Sequence, residues 1–265
     1  MAGSHNSAGI LTKDINIVSF NMHGFNQGIQ TVRDMMLLGN FDVFMLQEHW
    51  LTPFNLQKFN ENCPKYICYG SSAMGSEVES GVLRGRPYGG VMTLVNNRFH
   101  SCAHIVCSDD RYVIVTVGDL LIINVYLPCA GSVNRSLICQ DILENLVLWI
   151  DKYPNMSVIF GGDLNTDLND NNPVSDLVNK FIVDSNLTRG DHLFPSVYHS
   201  TYYNESLNCH STVDFLLTGN DRIVTGYNVI DPAVNFSDHR PVVISCTCTV
   251  DSNPCPAITG SRQAL

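Results

Sequence analysis

Ser157-Val158-Ile159-Phe160-Gly161-Gly162-Asp163-Leu164-Asn165-Thr166-Asp167 is the stretch around which the chain is organised. An apolar run of strand length breaks at two glycines, and an acid and an amide follow with one residue between them. In extended or tightly turning backbone, residues i and i+2 face the same way, so Asp163 and Asn165 point at a common spot. The glycines let the chain leave the strand sharply and leave room for a ligand to approach the backbone. A carboxylate beside an amide at a strand end can orient a water and hold developing negative charge. The same turn can equally do no more than cap a strand.

The pattern repeats earlier in the chain. Residues 15–20 read as a strand ending in Asn21-Met22-His23-Gly24, and residues 41–46 as one ending in Gln47-Glu48-His49-Trp50. Both are almost continuously apolar, as strands covered on both faces are, and each delivers polar groups at its C-terminal end. A helix is expected over 29–38, stopped by Gly39-Asn40. Residues 71–90 read as a long mobile loop of the kind tied to binding, with Glu77, Glu79, Arg84 and Arg86. Short strands at 90–95, 103–106, 112–117 and 120–126 have the spacing of an antiparallel meander, and Tyr126 stands just before Leu127-Pro128. Asn134 is the expected N-cap of a helix over 135–153, with Ile138, Ile142, Leu146, Trp149 and Tyr153 on one stripe. A second helix is expected over 174–184, a hairpin tip over 203–211, and strands near 201–203, 212–217, 223–230 and 242–249. Two sheets packed face to face with helices outside fit this order of elements.

The 265 residues are 45% hydrophobic and 15% charged, enough for a large core. The longest apolar runs, 113–117 and 120–125, are far too short to span a membrane, and residues 1–7 are not read as a secretory signal. Of ten cysteines, Cys68, Cys107, Cys139, Cys246 and Cys248 sit in apolar segments and read as small buried hydrophobes. Cys102-x-His104-x-x-Cys107 imitates a zinc pattern but fits a strand better. A reducing compartment, cytosol or nucleus, is therefore expected. The formal charge of −10 excludes nucleic-acid binding by bulk electrostatics alone, although acids gathered around a divalent cation would account for part of it.

Three further residues carry candidate chemistry. Glu48 follows an apolar strand directly and is either a solvated strand end or a hard oxygen ligand for Mg²⁺. Asp214 lies on an apolar strand, where an unpaired carboxylate is costly, and a partner histidine would resolve that. His239, after Asp238, is the expected partner, its ring held by Asp214 as bases are held in catalytic triads. Two unrelated surface residues remain the alternative. His23 and His49 follow site candidates and are expected to line the cleft, while His100, His104, His192 and His199 read as structural and Trp149 as core.

Asn21, Gln47-Glu48, Tyr126 before a Pro, Gly-Gly-Asp163-Leu-Asn165, Val-Asp214-Phe and Ser-Asp238-His239-Arg-Pro, in that order, resemble the endonuclease/exonuclease/phosphatase family across residues 15–250. The resemblance implies a four-layered α/β sandwich of the deoxyribonuclease I type, two mixed β-sheets face to face with helices outside. It also implies Mg²⁺-dependent hydrolysis of a phosphate ester, with Mn²⁺ able to substitute. Carried over by position, Glu48 looks like the metal ligand, with Asn21 and Asp238 beside it. Asp163 would prepare the attacking water, and Asn165 and Tyr126 would hold phosphate oxygens. His239, oriented by Asp214, would contact the scissile phosphate, and Thr201 would donate to a phosphate on the DNA side.

Within the family, Thr212-Val213-Asp214-Phe215 departs from the Trp-Cys-Asp-Arg motif of inositol phosphatases. Ser211-Thr212 departs from the Trp-Arg pair of apurinic enzymes. Gly89-Gly90-Val91, the short hairpin and Ser237-Asp238-His239-Arg240-Pro241 look most like the endonuclease domain of LINE-type (non-LTR) retrotransposons, with Thr212 where those enzymes often carry Arg. That likeness implies a double-stranded DNA substrate nicked to prime reverse transcription, and a reverse transcriptase elsewhere in a larger polyprotein. It also implies a monomeric isolated domain, made in the cytoplasm and acting in the nucleus. Tyr203, Asn204, Arg84 and Arg86 are the candidate DNA contacts. The domain is expected over 14–250, between a disordered start or cloning scar (1–13) and an unstructured tail (251–265). The competing readings are a phosphodiesterase or phosphatase acting on an abasic site, an inositol phosphate or another small or lipid phosphate, and a binding module with a dead site.

Overall fold

A computed structural model describes residues 10–81, 85 and 87–251. The chain runs β1 (Ile10–Asn21), α1 (Phe25–Leu38), β2 (Val43–Gln47), α2 (Lys58–Asn62), β3 (Tyr66–Ser71), α3 (Gly75–Glu79) and β4 (Val91–Asn96). It continues through β5 (Ala103–Ser108), β6 (Tyr112–Val117), β7 (Leu120–Tyr126), α4 (Arg135–Asp151), β8 (Ser157–Asp163) and α5 (Pro173–Asp184). The last part holds β9 (Thr188–Arg189), α6 (Gly190–Leu193), β10 (Tyr202–Asn204), β11 (Cys209–Ser211), β12 (Asp214–Thr218), β13 (Val224–Val229) and β14 (Val242–Asp251).

Alternation along the strands creates the layers. In β1, Ile15 and Ile17 point into one core cluster and Val18 and Phe20 into another; in β2, Val43 and Met45 divide from Phe44 and Leu46 in the same way. Both faces are thus covered, which is why these strands read as unbroken apolar runs. The first sheet has the order β13-β14-β1-β2-β4-β3, the second β5-β6-β7-β8-β12-β9, and β10-β11 form a separate hairpin. The core between the sheets includes Ile17, Met45, Val115, Ile122, Ile159 and Ile244. Outside it, α1 and α2 cover the first sheet and α4 and α5 the second. Each fully buried side chain of this size contributes roughly 1.5–3 kcal/mol. This is the four-layered, deoxyribonuclease I-like sandwich.

Each sheet has one parallel pair at its centre, β1-β2 and β7-β8, joined by the crossovers through α1 and α4. The C-terminal ends of these four strands carry Asn21, Gln47, Tyr126 and Asp163. Gly162 makes the approach to Asp163 possible. Its φ is +138°, and a Cβ there would stand 1.9 Å from the carbonyl oxygen of Val125 on the neighbouring strand. Gly162→Ala should therefore destabilise the fold by at least about 2 kcal/mol, seen as a lower denaturant midpoint in urea.

Several expectations change. β1 begins at Ile10, because residues 10–13 pair with 248–251 in the β14 ladder. The strands from 91 to 126 are not one meander: the 3-10 turn Asn97–Cys102 carries the chain from the first sheet to the second after β4. The loop 71–90 contains α3, and Arg84 and Arg86 lie outside the described residues, as do 1–9 and the tail from 252. Elements β3 and α2 carry too weak an alternation to be read from sequence. Asn134 precedes α4 in a left-handed conformation (φ 54°) with no side-chain cap. Trp149 is only partly buried, with the Lys152 ammonium 3.9 Å above its ring, and Ile138 faces out. The nine described cysteines are all free.

Candidate active site

The register fixes most of the site. Asp163 is the Cα partner of Tyr126 across the parallel β7-β8 pair and of Asp214 across the antiparallel β8-β12 pair. Both aspartates are buried, so two carboxylates face each other with little solvent to screen their charges. His239 answers this: its Nδ1 lies 2.8 Å from Asp214 Oδ2, the pairing expected from sequence. Burial alone would push the His239 ring down, but the charges of Asp214, Asp163 and Asp238 raise it to about 10. Burial, then the Asp214 charge, push Asp163 up to about 7, against the pull of His239 and the Asn21 amide.

Asp163 is held from two sides. Asn21 Nδ2 donates to its Oδ2 at 2.8 Å and the Asn165 backbone N–H to its Oδ1 at 2.8 Å. Asn165 turns back at φ 53°, giving its amide N–H₂ to Leu127 O (2.8 Å) and Asp163 Oδ2 (3.2 Å). Arg135 staples this turn, donating to Pro128 O (2.9 Å) and Asn165 O (2.6 Å). Nothing in the sequence around Arg135 marks it, since the carbonyls it holds belong to distant segments.

Glu48 stands at the end of β2 at φ 53° and accepts from the Tyr126 hydroxyl and from Trp50 Nε1 (3.1 Å). Burial and the Glu48 charge raise the Tyr126 phenol, so it stays a donor. Beneath Glu48, Gln47 Nε2 donates to Asn124 Oδ1 (2.7 Å) between the sheets, and Asn124 Nδ2 reaches Met92 O (3.1 Å). This buried amide pair anchors the strand end. Asp238 contacts His23 Nδ1 (2.9 Å) and lies 3.8 Å from His239 Nε2. Burial would raise its carboxyl, but the two histidines hold it below the ordinary range. Contact with Asp238 raises His23 in turn, against the effect of burial.

Glu48, Asp238, His239 and Asn165 line one cleft with His23, Arg135, Tyr202, Asn204, Asp167 and Asp170. His49, by contrast, does not line it. It is fully buried, satisfied by Ser71 O (3.0 Å) and the Leu51 N–H (3.0 Å), and burial lowers its ring to about 4. Thr201 is also fully buried; its hydroxyl accepts from the backbone N–H groups of Val213 and Asp214, both at 3.0 Å, and so sets the start of β12. Tyr203 stacks on His210 (4.5 Å) and donates to Asn208 (3.1 Å) within the hairpin. Tyr202, unmarked by any sequence signal, bridges to His239, its ring 4.9 Å from the imidazole.

Two places offer donors for a divalent cation. Ligand atoms of Asp163, Asp214 and His239 lie within 4.8 Å of one another. The His239 ring, however, is committed to Asp214 and raised, and a protonated imidazole is not a ligand. Glu48 and Asp238 suit a hard cation better: both carboxylates line the cleft, and Ser237, next to Asp238, donates to Asn21 O at 2.7 Å.

A model of the Endonuclease/Exonuclease/phosphatase family matches residues 18–239. Among solved structures, the chain is similar to the APE2 catalytic domain of Xenopus laevis (19% identity, 91% of this chain and 95% of that one, TM-score 0.70). It is also similar to the AP endonuclease LMAP of Leishmania major (16% identity, 88% of each chain, TM-score 0.68). A 3' phosphatase from Neisseria, bound to a product DNA hairpin, matches at 16% identity over 87% of this chain and 98% of that one, with TM-score 0.67. No match is found among curated proteins.

Proposed function

Because the chain belongs to the Endonuclease/Exonuclease/phosphatase family, we propose that it is a divalent-metal-dependent phosphodiesterase that nicks double-stranded DNA. The observation that carries the chemistry is the buried Asp163–Asp214–His239 network opening onto the cleft beside Glu48. Asp163, raised to about 7, is poised to take a proton from a water near neutral pH. His239, kept cationic by Asp214, faces a phosphate as a fixed positive donor. Asn165, which lines the cleft, and Tyr126, whose hydroxyl donates to Glu48, would hold phosphate oxygens during in-line attack on phosphorus. Glu48, with Asp238 and Asn21 close by, would hold Mg²⁺ or Mn²⁺; the ion supplies positive charge for the oxygens that become negative in the transition state.

The biological role we assign is the target-site nick that primes reverse transcription in a non-LTR retrotransposon, carried out in the nucleus. Its support is the motif likeness at Gly89-Gly90-Val91 and Ser237 to Pro241. The Neisseria structure with its DNA hairpin supports a nucleic-acid substrate. One observation favours a second reading: Glu48, Asp167, Asp170 and Asp238 line the cleft against Arg135 and the His239 ring, a balance that suits a small phosphate ester as well as a duplex.

The test is conversion of supercoiled plasmid to open circle. Mg²⁺ should support nicking, a chelator should abolish it, and added Mn²⁺ should restore it. If the protein leaves plasmid intact yet releases phosphate from an inositol phosphate, the nuclease reading is lost.

A further inference from the structure

The mechanism leaves unused the cleft residue His23 and its neighbour Trp50, and together they join the two metal-side carboxylates. Trp50 Nε1 donates to Glu48 Oε2 at 3.1 Å. The Trp50 and His23 rings meet with centroids 5.0 Å apart at 56°. His23 Nδ1 lies 2.9 Å from Asp238 Oδ1. The result is an unbroken belt from Glu48, at the end of β2, to Asp238, in the turn before β14.

The backbone beneath the belt is zipped. Met22 N donates to Gln47 O (2.9 Å), Gly24 N to Glu48 O (2.8 Å) and Phe25 N to His49 O (2.9 Å). His23, Glu48 and Trp50 all have left-handed φ values, 49°, 53° and 54°. Such residues persist where their surroundings over-determine them, and they gather at functional sites. Gly24 provides the seat for the indole: a Cβ there would stand 2.6 Å from Trp50 Cε3.

We propose that Trp50 and His23 are positioning residues that set the spacing and aim of Glu48 and Asp238 for one divalent cation. The inference rests on the metal reading given above. Glu48 and Asp238 come from segments far apart in sequence, and like charges drive them apart. A cation with strict octahedral demands binds weakly if it must order such ligands itself. The belt does that ordering in advance by placing the indole N–H on Glu48 and the imidazole against Asp238, and a carboxylate oxygen in such a contact keeps a lone pair for a metal. Trp50 and His23 thus act through the ligands and do not touch the ion.

The experiment measures Mn²⁺ binding to the full chain by calorimetry without substrate, beside the Mg²⁺ dependence of phosphodiester cleavage. Trp50→Phe keeps an aromatic ring beside His23 and removes the indole N–H. His23→Asn suits the left-handed backbone and removes the ring. Both variants should bind Mn²⁺ about 10–100-fold more weakly, the range for loss of a group that orients a ligand, with kcat at saturating cation within about threefold of wild type. The chain has two tryptophans, Trp50 and Trp149, so in Trp149→Phe the indole emission reports the belt alone and should shift when Mg²⁺ is added. Wild-type affinity in both variants, or lost kcat with unchanged affinity, would overturn the belt while leaving the metal assignment standing. Wild type that titrates with neither cation would overturn both. Because binding is read without substrate, failure of the DNA reading alone leaves the measurement decisive.

Discussion

Asp163→Asn should lower the rate of phosphodiester cleavage by roughly 10²–10⁴-fold, the range expected on removing a general base. The geometry makes this a chemical loss and not a folding one. Asp163 accepts from Asn21 and Asn165, and an asparagine offers one acceptor oxygen where the carboxylate offers two. That deficit is offset by removing one of two facing buried carboxylates, so melting should stay close to wild type. The pH profile separates the roles further. In the native protein, burial and Asp214 hold Asp163 at about 7, so the rate should rise with pH through neutrality as the base loses its proton. In Asp163→Asn that acid limb should vanish. A variant that keeps both the limb and the rate would remove Asp163 from the water-activating role.

The second large effect is expected from Asp214→Asn, which touches no substrate. Asp214 fixes the His239 ring through Nδ1 at 2.8 Å and is the leading cause of its raised pKa, opposing the downward effect of burial. An amide can still hold the ring but supplies no charge, and the equivalent change in a histidine-orienting carboxylate costs on the order of 10⁴ in kcat. The sign is fixed by which form works. If the cationic ring faces the phosphate, activity falls as pH rises through the His239 pKa, about 10 in the native protein. Loss of the Asp214 charge moves that alkaline limb down, toward the ordinary imidazole range. Cleavage measured from pH 6 to 11 tests this; an alkaline limb that stays in place would show that Asp214 does not sustain the charge.

Much of this site was legible because its residues interrupt apolar strands. Asp214 in an otherwise apolar run demands a partner, and His239 is that partner. Glu48 and Asp163 stand out for the same reason, each ending a strand whose two faces are buried. What stayed hidden depends on contacts between segments far apart in the chain. Arg135 matters because it reaches Pro128 O and Asn165 O, and Thr201 because its hydroxyl meets the start of β12. His49 misled for a related reason: the same position after Glu48 points into the protein, against Ser71, and not into the cleft. The fold was clearer than its sheet membership, since a run of short strands does not say where the chain changes sheets. Here one 3-10 turn, Asn97–Cys102, makes that change.

The position of β14 beside β1 has a consequence for how the chain reaches its final form. Residues 10–19 pair with 242–251, so the first strand waits for the last. Until β14 arrives, β1 is the open edge of a sheet, a row of unsatisfied backbone groups of the kind that recruits other chains. Pairing across so long a separation is intrinsically slow. Asp238 and His239 lie immediately before β14, in the turn that the ladder pulls into place. Sealing the edge against aggregation and completing the catalytic cleft are therefore a single event, and it waits for β14.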